Sequence, residues 1–138
     1  MRLGLGEVRC RLLLGCLAFP EFGALGGIID EVGVAVIAHP GRYRFSVNEE
    51  YALFSEFIAH GGRGVEVVTG SHSQAEQARY ADTAREFGLL ASRGSDFHSP
   101  GESRTELGAL PDLPGTLTPV WQALTHRVLH PAGATSSA

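Results

Sequence analysis

The sequence contains no His-x-His, no Gly-x-x-x-x-Gly-Lys-Ser/Thr and no Gly-x-Ser-x-Gly. The last two absences exclude a phosphate loop of the nucleotide-triphosphatase kind and a serine nucleophile on a strand-to-helix elbow. There is no long run of Lys or Arg, the formal net charge is −4 and the pI is near 5.8. Sequence-independent binding to a nucleic-acid backbone is therefore not expected, nor is binding to duplex DNA. Only two cysteines occur, Cys10 and Cys16, and they are not spaced as Cys-x-x-Cys. That pattern fits a reduced, cytoplasmic protein. No stretch approaches the ~20 apolar residues of a membrane span.

What is there suits one folded domain. The 138 residues fall within the roughly 100–200 of an ordinary domain. At 43% hydrophobic and 19% charged, the chain is too apolar for disorder over its whole length. Near the start, Arg2, Arg9 and Arg11 precede the apolar Leu12 to Phe19, the outline of a secretory leader. Gly15 interrupts that short core and Glu7 sits in the basic region, so a leader is not expected. Glu21 to Val32 could form a helix, but residues 1–32 stay unassigned, and residues 131–138 read as a flexible tail.

From Gly33 the pattern becomes regular. Val34 to Ala38 is a continuous apolar run suited to a parallel strand buried on both faces. His39-Pro40-Gly41-Arg42 ends it, since Pro40 cannot continue a ladder and Gly41 suits a turn. Ser46 and Glu49 form a capping-box pattern before a helix with Leu53, Phe54, Phe57 and Ile58 on one face, closed by Gly61-Gly62. Gly64 to Thr69 predicts a second strand. Ser73 and Glu76 repeat the capping box, ahead of Ala78, Ala81, Ala84 and Phe87 at helical spacing up to Gly88. Leu89-Leu90-Ala91 predicts a third strand. A Pro- and Gly-rich loop then runs to Thr118, which with Pro119 opens a final short helix through Trp121, Leu124 and Val128. Strands alternating with helices in this way make parallel pairs, in a doubly wound α/β sheet or part of a barrel.

The polar residues gather where the strands end: His39 after the first, Thr69 to His72 after the second, Asp96 and His98 after the third. In parallel α/β folds ligands and catalytic groups converge at the C-terminal strand ends. Asp96 and His98, two apart on an extended segment, project the same way and are good ligands for Zn²⁺, Mn²⁺ or Fe. An Asp–His hydrogen bond holding the loop is the plainer reading. His39 could ligate a metal while Arg42 grips a phosphate, or it could be structural beside a solvated arginine. Glu66, a carboxylate within an apolar strand, points either at a site or at the domain edge. His72 could touch substrate or cap the next helix. His60 suits a helix C-terminus, and His126 and His130 suit structural or solvent roles.

Three segments in this order, His39-Pro40-Gly41-Arg42-Tyr43, Glu66-Val67-Val68-Thr69-Gly70-Ser71-His72 and Gly94-Ser95-Asp96-Phe97-His98, resemble the polymerase and histidinol phosphatase (PHP) superfamily. Leu107-Gly108 and Leu117 to Trp121 extend the likeness, which covers roughly Gly33 to Trp121. The branch it resembles is the bacterial nucleoside-3′,5′-bisphosphate phosphatases, some of which act as 5′-to-3′ exoribonucleases on short RNA. The resemblance implies a distorted (β/α)₇ barrel with a trinuclear metal site, of which residues 33–130 would be the C-terminal half. It implies His39, Asp96 and His98 as metal ligands, and Arg42, Glu66 and His72 as substrate-side residues. Manganese is the metal expected first, with Fe, Zn or Mg as alternatives. The substrate would be a phosphorylated nucleotide or a short RNA 5′ end. The family's opening His-x-His segment and its middle Glu and His ligands have no counterpart here. A complete barrel needs on the order of 250 residues. The activity is therefore expected to be lost or impaired in the chain alone, and half a barrel should self-associate through its exposed sheet edges. A non-catalytic remnant and a small α/β binding module are the alternatives.

Overall fold

The computed structural model describes residues 34–125. The helix over residues 21–32, the cysteines, His126, His130 and the tail lie outside them. The described chain is a three-stranded parallel sheet in the order β1-β2-β3. Strand β1 is Val36–Ile37, helix α1 Val47–Ala59, β2 Gly64–Thr69, α2 Gln74–Phe87, β3 Leu90–Gly94 and α3 Val120–Ala123. The α/β class with parallel strands is as the alternation predicts.

Both long helices start from the boxes written in the sequence. Ser46 accepts the Glu49 backbone N–H while the Glu49 carboxylate accepts the Ser46 N–H, and Ser73 and Glu76 repeat the exchange. Each box satisfies two of the N–H groups a helix start leaves without a partner. At the other ends, Gly88 caps α2 in the left-handed conformation at φ 64°. Beyond α1 a Cβ on Gly62 would overlap the Phe57 ring, so the chain can turn there only because residue 62 has no side chain.

The core is Leu53, Phe54 and Phe57 of α1, Tyr80, Ala81 and Ala84 of α2, Val65, Val67 and Val68 of β2, and Ala91 of β3, all buried. Ala78 is exposed, and Tyr80, outside the alanine series, joins Ala81 and Ala84 in the core. Burial, with Glu50 nearby, pushes the Tyr80 hydroxyl up to about 12, so it is neutral. An ion pair from Arg79 to the buried Glu50 ties α2 to α1.

Three boundaries differ from expectation. The regular part of β1 is shorter than the apolar run, because only Val36 and Ile37 are in ladder register, with Gly64 and Val65. Strand β3 starts and ends later than Leu89–Ala91: its ladder continues through Ser92, Arg93 and Gly94 against Glu66, Val68 and Thr69. The cap of α3 is Pro119 rather than Thr118, whose carbonyl instead accepts the Ala91 N–H and lays this segment beside β3. One irregularity was not foreseen. Glu66 pairs with Ser92 and Val68 with Arg93, so Val67 is an extra residue, a β-bulge in the central strand.

Candidate metal and phosphate site

The three strands run parallel, so the residues after β1, β2 and β3 lie at one end of the sheet. His39 follows β1 and enters a single 3₁₀ turn, Pro40–Arg42. Its backbone is left-handed, at φ 34° and ψ 54°. Asp96, beyond β3, is also left-handed, at φ 56°. Among the described residues these are the only non-glycine residues with positive φ. That conformation costs an L-residue energy the surrounding structure must supply, and it concentrates at functional sites.

The His39 turn is held from below by two side chains. The His39 N–H donates to Glu66 Oε2 at 2.6 Å, and the Gly41 N–H donates to His72 Nε2 at 3.0 Å. Glu66 is buried, on the central strand rather than at a domain edge. A Cβ on Gly94 would stand 3.0 Å from its other oxygen, so the carboxylate lies between the end of β1 and the end of β3. The turn aims Arg42 across the sheet end, where its guanidinium pairs with Asp96 Oδ2 at 3.2 Å.

His39 is half-buried, and its Nδ1 is buried with no hydrogen-bond partner among the described residues. Burial lowers its pKa below the ordinary 6.5; Asp96 pulls the other way and Arg42 reinforces the lowering. A neutral imidazole with a lone pair is the form that ligates a metal. His98 sits differently. Its Nδ1–H donates to the Asp96 carbonyl at 2.7 Å, and its side chain is 68% exposed. A carbonyl can only accept, so the other nitrogen of a neutral His98 is left as an acceptor facing outward.

The structure thus brings Arg42 onto Asp96, with His39 within electrostatic reach, and holds His98 by the Asp96 backbone. It does not gather three such side chains at one point: among the described residues no group of three or more His, Cys, Asp or Glu is placed to hold a metal ion. The donor chemistry nonetheless fits a divalent transition metal, and the buried His39 Nδ1 without a partner among the described residues is compatible with a ligand role. Sequence reasoning gave no individual role to Thr69 Oγ1 and Ser71 Oγ, which are also buried at this end of the sheet without a partner among the described residues. His60 is placed as expected, its Nδ1 on the Glu56 carbonyl at the end of α1.

No family model matches the chain. Individual relatives do. The chain is 46% identical over 109 residues to a 3′,5′-nucleoside bisphosphate phosphatase of Chromobacterium violaceum, covering 79% of this chain and 38% of that protein. It is 42% identical over 107 residues to the 5′-3′ exoribonuclease Rnm of Escherichia coli, covering 75% and 36%. Its structure superposes on that of an amidohydrolase from Chromobacterium violaceum, solved with bound sulfate and no metal, at a TM-score of 0.73 and 45% identity. That match covers 82% of this chain and 39% of the other.

The chain is a homologue of these phosphoesterases over their C-terminal part. It spans little more than a third of the length of the curated relatives it matches. Its parallel sheet is correspondingly part of a PHP-type fold. A Bifidobacterium adolescentis protein assigned as a metal-dependent phosphoesterase shares the fold at a TM-score of 0.53 and 23% identity, over 79% of this chain and 37% of the other.

Proposed function

We propose that the chain supplies the C-terminal part of a metal-dependent phosphoesterase site acting on nucleotide phosphate esters. The substrates would be 3′,5′-nucleoside bisphosphates or short RNA 5′ ends, in keeping with relatives named as a 3′,5′-nucleoside bisphosphate phosphatase and a 5′-3′ exoribonuclease. The observation that carries this reading is the pair of left-handed residues at one sheet end, Asp96 paired with Arg42 and His39 within electrostatic reach of both. His39, Asp96 and His98 would hold the ion, with Mn²⁺ first in line and Fe, Zn or Mg as alternatives. When bound, such an ion supplies charge neutralisation at the phosphoryl group and lowers the pKa of a water molecule.

The chain's own residues do the rest. Arg42 is about half exposed, and its present partner is one carboxylate oxygen. If Asp96 were to hold an ion, the guanidinium would be free to grip a phosphate oxygen pair. The burial of His39 keeps its ring neutral and ready to donate its lone pair.

With few ligands of its own, the chain alone is expected to be inactive or impaired, to self-associate through its sheet edges, and to work in the cytoplasm. No described helix is long and apolar enough to cross a membrane. The test is Mn²⁺ titration of the chain, followed by electron paramagnetic resonance, beside Asp96→Ala and His39→Ala. Saturable binding that both variants lose supports the reading. Binding that neither alters would sink it.

A further inference from the structure

We propose that His72 is a positioning residue: as the neutral Nδ1–H tautomer it fixes the turn bearing His39 and Arg42 through the Gly41 N–H, and does not itself touch substrate. The function of that turn rests on the phosphoesterase reading above; the way it is held does not.

Hydrogen-bond chemistry sets the tautomer. His72 Nδ1 lies 2.9 Å from the Val67 carbonyl, which can only accept, so Nδ1 carries the proton. Nε2 lies 3.0 Å from the Gly41 N–H, which can only donate, so Nε2 is bare. Both nitrogens are thereby used within the protein, and neither remains for a phosphate oxygen. The Val67 carbonyl belongs to the bulged residue of β2, the one left out of register with β3.

Packing holds the ring as firmly as bonding does. His72 is 7% exposed, and its ring stacks on buried Tyr80 at 5.1 Å between centroids and 24° between planes. On the other side, a Cβ on Gly41 would meet His72 Cδ2 at 2.9 Å and Nε2 at 3.0 Å. The turn therefore lies directly on the ring edge, and only glycine allows it. Gly41 separates Pro40 from Arg42, so fixing its N–H sets the direction in which both His39 and Arg42 leave the sheet.

Two variants separate the acceptor from the bulk. His72→Phe keeps a ring against Tyr80 but has no acceptor, whereas His72→Gln keeps an acceptor near the position of Nε2. In the unaltered chain, nitrogen-15 NMR of the His72 ring should show Nδ1 protonated and Nε2 bare. Gly41 amide exchange should quicken about five- to tenfold in His72→Phe, the value of one hydrogen bond near 1 kcal/mol, and return towards the original in His72→Gln. Mn²⁺ affinity should fall about 10- to 100-fold in His72→Phe, as for other groups that orient ligands, and largely recover in His72→Gln. A protonated Nε2, or equal effects of Gln and Phe, overturns the inference. Should His72→Phe not fold, the ring spectrum and His72→Gln still decide. Should the unaltered chain bind no Mn²⁺, the phosphoesterase reading falls, while the tautomer and exchange results still judge His72.

Discussion

The backbones of His39 and Asp96 are both left-handed, at φ 34° and 56°, one after β1 and the other after β3. A Cβ in that region costs roughly 1–2 kcal/mol, less for Asp, which can bond locally. Replacing Asp96 by Gly and by Ala should therefore give unequal stabilities although both remove the carboxylate. Asp96→Gly should be about 1 kcal/mol more stable than Asp96→Ala in urea denaturation, allowing for glycine's entropy in the unfolded chain. Equal stabilities would mean that residue 96 is not left-handed in solution.

The two capping boxes give a second expectation. Ser46→Ala and Ser73→Ala should each cost about 0.5–2 kcal/mol. The losses should add, because the boxes belong to different helices. Thermal or urea unfolding of the single and double variants measures this. A negligible loss at either serine would show that the helix start is fixed by packing instead.

Acid should weaken the fold in two stages. Burial lowers the pKa of His72 and of His39 below the ordinary 6.5, against smaller opposing influences. The unfolded chain therefore takes up these protons more readily than the folded one. Their contribution is complete above 6.5 and lost as pH falls through the lower folded values. Hydrogen bonds from the Ser46 and Ser73 N–H groups likewise hold Glu49 and Glu76 below 4.5. Their contribution is present above 4.5 and disappears as pH falls through the folded values. The urea midpoint should drop first below 6.5 and again below 4.5, and His72→Gln should shrink the first drop. A midpoint constant from roughly pH 7.5 to 5 would refute the first stage.

Catalysis by the chain alone should be weak. Three candidate protein ligands suit one metal with open positions better than a cluster. Loss of further ions removes charge neutralisation and nucleophile activation, each worth several kcal/mol. With Mn²⁺, hydrolysis of nucleoside bisphosphates should run at least ~10³-fold slower than in a full-length relative. Adding the remaining part of such a relative should raise the rate, and Asp96→Ala should remove the gain. Turnover at the relatives' own rate, unchanged by Asp96→Ala, would contradict the assignment of the site.

Much of this architecture was legible because it is local. Ser46 with Glu49 and Ser73 with Glu76 announce two helices within four residues each, and the apolar run from Gly64 to Thr69 marks β2 to the residue. β3 was harder. Ser92, Arg93 and Gly94 carry no strand signal of their own and are in the ladder only because β2 offers them partners. Tyr80 was hidden behind an alanine series that reads as the buried face. The position of His39, Asp96 and His98 after parallel strands was readable from order alone. The hydrogen bonds that Glu66 and His72 make to the turn were not, since each joins residues far apart in the chain.

The extra residue in β2 gives this strand an unusual tolerance to change in length. Deleting a residue from a regular central strand inverts every side chain beyond the cut. Deleting Val67 would instead close the ladder, bringing Glu66 and Val68 into consecutive register with Ser92 and Arg93. The sheet would survive, and what would be lost is the carbonyl on which His72 is seated. One codon thus separates a sheet that merely folds from one that also seats the turn carrying His39 and Arg42.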